Sequence, residues 1–196
     1  MRLVATVSSN AEIKLAEDAD IIEIRLDLFK SEVEIPKNKE VIITYRRKRD
    51  GGEFDGDDNE RINIMKKYSA DYVDLECDLS DKFFDFNCKI IESYHNFTET
   101  PDYDCLRKLV ENMRGDYFKI ATIGKSKNDV EKIVRILCRY ENVIAFLMGQ
   151  NFTYTRILAA FLGSPFIYCY VGVSKAPGQI RLDDAIKILK TLGVRR

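Results

Sequence analysis

Histidine is all but absent from this chain, with His95 alone among 196 residues, and tryptophan is missing altogether. The five cysteines (Cys77, Cys88, Cys105, Cys138, Cys169) are odd in number and scattered, and no CxxC pair occurs. With a single histidine, that leaves no zinc-ligand cluster and no metal is expected. The thiols read as reduced, which places the protein in the cytoplasm. No apolar run approaches the ~20 residues that span a bilayer, and "MRLVATVSSN" has neither the length nor the flanks of a signal peptide, so no membrane association is expected. Charge of one sign is lacking too: the net charge of −1 provides no global field to recruit nucleic acid. Neither GxGxxG nor GxxxxGK[ST] is present, which argues against generic nucleotide binding. No linker, low-complexity tract or short repeat divides the chain, so residues 1–196 are expected to form one compact domain.

What is abundant is charge, at 32% of residues against the ~25% common in globular proteins. Ion-pair networks of a heat-adapted protein and a well-solvated surface explain that excess about equally. Strand-like apolar runs alternate with helix-like segments from end to end. The runs are "RLVATVS" (2–8), "DIIEIRLDL" (20–28), "EVIITYRR" (40–47), "DYVDLECDL" (71–79), "KIIESYHNF" (89–97), "YFKIATIG" (117–124), "VIAFLMG" (143–149) and "FIYCYVG" (166–172). In "KNDVEKIVRILCRY", Val130, Ile133, Val134 and Leu137 recur at helical spacing. Leu182, Ala185, Ile186 and Leu189 do the same, with Gly193 placed to end that helix. Each run is followed by a connection long enough for a helix, although "KSEVEIPKNK", between runs two and three, has an irregular pattern. Strict alternation implies a parallel sheet. Eight units favour a closed (β/α)8 TIM barrel over an open doubly wound sheet, which usually has five or six strands.

In a barrel covered by helices, outward strand positions are apolar and inward ones near the C-terminal ends are free to carry function. Run two puts Ile22, Ile24 and Leu26 on one face and Glu23, Arg25 and Asp27 on the other. Charges on one face of a buried strand require partners or a cavity. The same alternation turns Arg46, Asp74, Glu76, His95 and Lys119 inward. Such a set suits a small polar anion, because arginine binds carboxylates with a planar fork. A buried lysine beside arginines is expected to have a lowered pKa, and a neutral amine attacks a ketone to form a Schiff base. A lone histidine is more often a passenger than a catalyst, yet one beside such a lysine can shuttle the protons of that chemistry.

These residues resemble type I 3-dehydroquinate dehydratase, the Schiff-base dehydratase family of the shikimate pathway, in its archaeal-like form. The resemblance covers about three-quarters of the chain through six ordered motifs: "EIRLDLF" (23–29), "TYRRKRDGG" (44–52), "SYHNFTETP" (93–101), "FKIA" (118–121), "MGQNFTYTR" (148–156) and "APGQI" (176–180). It implies that Lys119 forms the imine with the C3 ketone of 3-dehydroquinate and that His95 is the general acid/base. It further implies that Arg156 binds the substrate carboxylate, that Glu23, Arg25, Arg46 and Gln179 hold the hydroxyls, and that Met148 packs beside the ring. The implied reaction is a syn elimination of water giving 3-dehydroshikimate, with no metal or organic cofactor, on a (β/α)8 barrel in a protein that is often a homodimer.

Two positions depart from the family pattern. Asp50 stands where a glutamate usually precedes the paired glycines, and Lys175 where a serine is common four residues before Gln179. The segment "VSKAPGQIRLDD" after the last strand reads equally as a lid over the site and as an ordinary loop. Two other readings compete with the dehydratase. A Schiff-base aldolase on the same barrel shares the lysine but often needs a phosphate site that these loops do not suggest. A barrel that only binds a small acid has no need of Lys119 and His95 together.

Overall fold

The computed structural model describes residues 1–194. Its strands are β1 (Arg2–Val7), β2 (Ile21–Arg25), β3 (Glu40–Thr44), β4 (Tyr72–Glu76), β5 (Lys89–Asn96), β6 (Tyr117–Ile123), β7 (Val143–Met148), β8 (Phe166–Tyr170) and a two-residue β9 (Ile180–Arg181). The helices are α1 (Asn10–Leu15), α2 (Asp58–Met65), α3 (Tyr103–Glu111), α4 (Lys127–Arg139), α5 (Tyr154–Phe161) and α6 (Leu182–Thr191). All strand pairs are parallel, in the order β7-β6-β5-β4-β3-β2-β1-β8-β9. The eight expected strands are therefore all present and follow one another around a barrel, as the alternation required.

The structure adds two refinements. The apolar runs overshoot the strands at their C-terminal ends, because turns begin there: β2 stops at Arg25 and a 3-10 turn takes Leu26–Leu28. The connections after β2 and β4 carry only such single turns and no α-helix, although their length would admit one. The hydrogen-bonded ladder ends at β7 on one side and at β8–β9 on the other. Across that seam the contact is made by side chains, with the rings of Phe146 and Tyr168 6.4 Å apart, and by the Gly149 N–H donating to Pro177 O at 3.2 Å.

Alternation along each strand sorts side chains into two environments. Outward residues such as Leu3, Ile24, Ile43, Leu75 and Ile167 pack under α1, α2 and α6, while Phe118, Ile120, Ala145 and Leu147 pack under α3, α4 and α5. Helix α4 starts where the Asp129 carboxylate accepts the N–H groups of Lys125 and Ser126, each at 2.9 Å. Its Ile133, Ile136 and Leu137 are buried. Gly193, at a φ of 73°, follows α6 in the left-handed conformation that terminates helices. Inward residues Val4, Ile21, Ile42, Tyr72, Ile91, Ile144 and Phe166 fill the bottom of the barrel. That apolar plug leaves the upper interior to polar side chains.

Candidate active site

The polar side chains converge on one cavity at the C-terminal ends of the strands, about 540 Å³ including its open mouth. Lys119, His95, Glu23, Arg25, Arg46, Met148, Arg156 and Gln179, named from the sequence, all line it. Asp27 does not line the cavity. It takes Arg25 in a two-pronged pair (2.9 and 2.7 Å) and accepts the N–H groups of Arg46 and Glu53 at 3.2 and 3.1 Å, fixing the loop after β3.

Lys119 projects from the middle of β6, is 4% exposed, and its ammonium meets the carboxylate of Asp74 on β4. Asp74 Oδ1 also receives Arg46 Nη2 at 2.8 Å and the Ser93 hydroxyl at 2.6 Å. Burial lowers the pKa of Lys119, and the Arg46 charge adds to that, against the opposing pull of Asp74. Arg46 lines the cavity but its donors are already engaged, with Asp74, Glu76 (3.3 Å) and Ser93 (3.0 Å).

His95, near the end of β5, is half-buried and lines the cavity. Its Nδ1 stands 3.5 Å from Arg46 Nη1. Arginine only donates, so this contact assigns the lone pair to Nδ1 and the proton of the neutral ring to Nε2. Burial, then the charges of Arg46 and Lys119, push the imidazole pKa well below its usual value, although Asp74 pulls the other way. The single histidine is therefore neutral at pH 7 and able to accept a proton.

Arg156, in the first turn of α5, differs from every other buried cation here. Its Nε donates to Gly178 O at 3.0 Å and its guanidinium carbon lies 3.9 Å above the centre of the Phe146 ring. Among the described residues it has no carboxylate partner, and its buried Nη2 has no hydrogen-bond partner at all. Burial lowers its pKa to about 10. A buried cation of this kind, at the edge of a cavity, is a receptor for an anion.

Glu23 accepts the hydroxyls of Thr6 and Thr44 at 2.7 and 2.9 Å. Gln179 donates to Thr6 Oγ1 (3.2 Å) and Cys169 O (3.0 Å) and accepts the Lys175 N–H at 2.9 Å. Met148 covers the cavity from β7 and is buried. Asp50 is held by Arg47 at 2.7 Å and Lys175 by Glu12 at 2.7 Å, so both departures from the family pattern have partners of their own. Sequence patterning did not single out Tyr168 or Thr6, which also line the cavity. The period-two pattern of "FIYCYVG" was the available signal, since it puts Tyr168 on the face of Phe166.

A parallel (β/α)8 barrel whose charged interior opens at the C-terminal ends of its strands has the architecture of a barrel enzyme. Comparison with known proteins narrows that class to one family. The family model described as type I 3-dehydroquinase matches residues 4–196, and the chain belongs to that family. It is 61% identical to the 3-dehydroquinate dehydratase of Archaeoglobus fulgidus over 98% of this chain and 100% of that protein. The crystal structure of 3-dehydroquinate dehydratase from Geobacillus kaustophilus superposes with a TM-score of 0.86 at 22% identity, over 98% of this chain and 91% of that one. That from Aquifex aeolicus gives 0.76 at 26% identity, over 97% and 98%. The expected barrel and the expected family are thus both found, and the chain is a dehydratase, a hydro-lyase. Among the described residues no helix is long and apolar enough to cross a membrane.

Proposed function

We propose that the chain dehydrates 3-dehydroquinate to 3-dehydroshikimate through a Schiff base on Lys119, with His95 as general acid/base. The observation that carries this reading is the pairing, in one cavity, of a buried lysine of lowered pKa with a buried arginine that lacks an anion. Arg156 takes the substrate carboxylate, and the ring then lies between Met148 and the polar wall of Glu23, Arg25, Arg46 and Gln179. Neutral Lys119 attacks the ketone carbon and forms a carbinolamine, which loses water to give the imine. The imine acidifies the neighbouring carbon. His95, with the lone pair on Nδ1 and the proton on Nε2, moves the protons that imine formation, elimination and hydrolysis require. Elimination expels the hydroxyl from the next carbon as water, and hydrolysis returns the free lysine. Side chains supply every group in this scheme, so it calls for no metal or cofactor.

Incubation with 3-dehydroquinate and sodium borohydride, followed by peptide mapping, tests the reading. A reduced adduct on Lys119 supports it, and a folded protein that forms none refutes it. Two coarser expectations accompany it. Five free cysteines support a cytoplasmic location. Exposed Tyr154 and Phe161 on α5, with Ile188 and Leu192 at and beyond the end of α6, support a homodimer, which sedimentation equilibrium tests.

A further inference from the structure

Tyr168 is a polar group of this cavity that the scheme above leaves idle. It points inward from β8, at the level of Val4 on β1, and is 4% exposed. Its hydroxyl is buried and, among the described residues, has no hydrogen-bond partner. The acidic groups that influence it, Glu23 and Asp74, are already committed, Glu23 to Thr6 and Thr44, and Asp74 to Arg46, Ser93 and Lys119. A buried donor without a partner is destabilising, and a phenylalanine would fill the same space without that penalty. The Lys119 ammonium lies 4.8 Å from the centre of the Tyr168 ring, so the phenol flanks the nucleophile in the cavity floor.

We infer that the Tyr168 hydroxyl donates a hydrogen bond to the oxygen carried by the carbon that Lys119 attacks. That oxygen is first the ketone oxygen, then the carbinolamine hydroxyl, then the departing water. The inference deepens the proposed function and rests on Lys119 being the amine nucleophile. In the step concerned, the Nζ lone pair forms the C–N bond and the C=O π pair moves onto oxygen. The Nζ proton passes by way of His95 to that oxygen, while the phenol only donates a hydrogen bond and keeps its proton. Burial, and then the charges of Glu23 and Asp74, raise the phenol pKa well above its usual value, so the group stays a donor throughout. A donor already aimed at developing charge in a site of low dielectric acts as an oxyanion hole does.

Tyr168→Phe is the test, because it removes one oxygen and keeps the ring. The readout is the rate at which the reduced adduct on Lys119 accumulates when 3-dehydroquinate and borohydride are mixed with enzyme in excess. The substitution is expected to slow adduct formation by roughly 10²-fold, the lower end of the loss when one oxyanion donor is removed. Thermal stability is expected to be unchanged or raised. Adduct formation at the wild-type rate in the Tyr168→Phe protein overturns the inference and leaves the imine reading intact. Absence of an adduct in the wild-type protein overturns both. A lower melting temperature with an unchanged trapping rate assigns Tyr168 to packing and likewise overturns the inference.

Discussion

Arg46 Nη2 stands 2.8 Å from Asp74 Oδ1, and the other oxygen of the same carboxylate receives Lys119. One buried anion thus lies between two buried cations, one from the middle of β6 and one from the segment just after β3. Burial by itself would raise the Asp74 carboxyl pKa, but Arg46 and then Lys119 outweigh it and hold the carboxyl far below the carboxylate range. The arrangement keeps Lys119 in place without fixing its proton. Burial and Arg46 favour the neutral amine, and Asp74 favours the ammonium.

Replacing Asp74 by asparagine leaves two buried cations without their shared anion. We expect Asp74→Asn to lose about 3–5 kcal/mol of stability at pH 7, the usual cost of breaking a buried pair on one side. The sign with pH is fixed by the depressed folded pKa. The stability that Asp74 contributes is present above the unfolded value of about 4 and is lost as pH falls toward the folded one. Urea denaturation at pH 7 and below pH 4 should therefore show the wild-type advantage shrinking on acidification.

His95 shifts stability with pH in the same direction as Asp74 but in a higher window, because its folded pKa is also depressed and it carries charge only when protonated. Below about pH 6.5 the unfolded chain takes up a proton that the folded chain refuses, so the folded state loses stability as pH falls through that window. His95→Gln is expected to flatten this dependence in urea midpoints measured from pH 7 to pH 5. Since no other histidine exists, one imidazole C–H resonance reports the titration directly, and its midpoint is expected below 6.5. His95→Ala is expected to fold and to lose turnover by roughly 10²–10⁴.

Arg156 sets stability against binding. Arg156→Met removes a buried cation that has no anion and is expected to stabilise the ligand-free protein by about 1–2 kcal/mol. The same substitution is expected to raise KM by roughly 30-fold or more, since a desolvated charge contact is worth about 2–5 kcal/mol. A carboxylate-bearing product at 100 times its Kd should stabilise the wild-type protein by about 2.7 kcal/mol, and the Arg156→Met protein much less at the same concentration. Thermal shift with and without product measures both effects.

What the sequence made legible followed from strand alternation. Glu23, Lys119 and His95 are separated along the chain, yet a period of two on β2, β6 and β5 puts each in the barrel interior. The same rule misplaced Asp27, because β2 ends at Arg25 and a 3-10 turn folds the carboxylate back onto that arginine. The Lys119–Asp74 pair was not legible, because β5 lies between β4 and β6 and the register runs from Lys119 through Ser93 to Glu76 rather than to Asp74. Nor could the sequence show that Arg156, unlike Arg25 and Arg46, has no carboxylate partner among the described residues. Tyr168 went unnoticed because an aromatic in an apolar run reads as core, and its buried hydroxyl matters only once its surroundings are known.

The loop after β8 is tied down by a contact that the family pattern would not supply. Glu12 Oε1 receives Lys175 Nζ at 2.7 Å and the Val173 N–H at 3.2 Å, while Oε2 receives the Ser8 N–H at 2.8 Å. Further along, Gly178 holds a φ of +67° against the backbone of Gly149 and offers its carbonyl to Arg156. Side chains rarely adopt that conformation, so glycine is required where the loop crosses β7. A loop fastened at Glu12 and at Arg156 over the cavity opens only when one fastening yields. Glu12→Gln weakens the first and leaves Arg156 untouched. We expect it to accelerate amide exchange across residues 173–179 by about 5–30-fold, the ratio that corresponds to 1–2 kcal/mol. If the loop is a lid, bound product should slow exchange in both proteins, because the ligand holds it through Arg156. Exchange that is indifferent to product in both would make it an ordinary connection between β8 and α6.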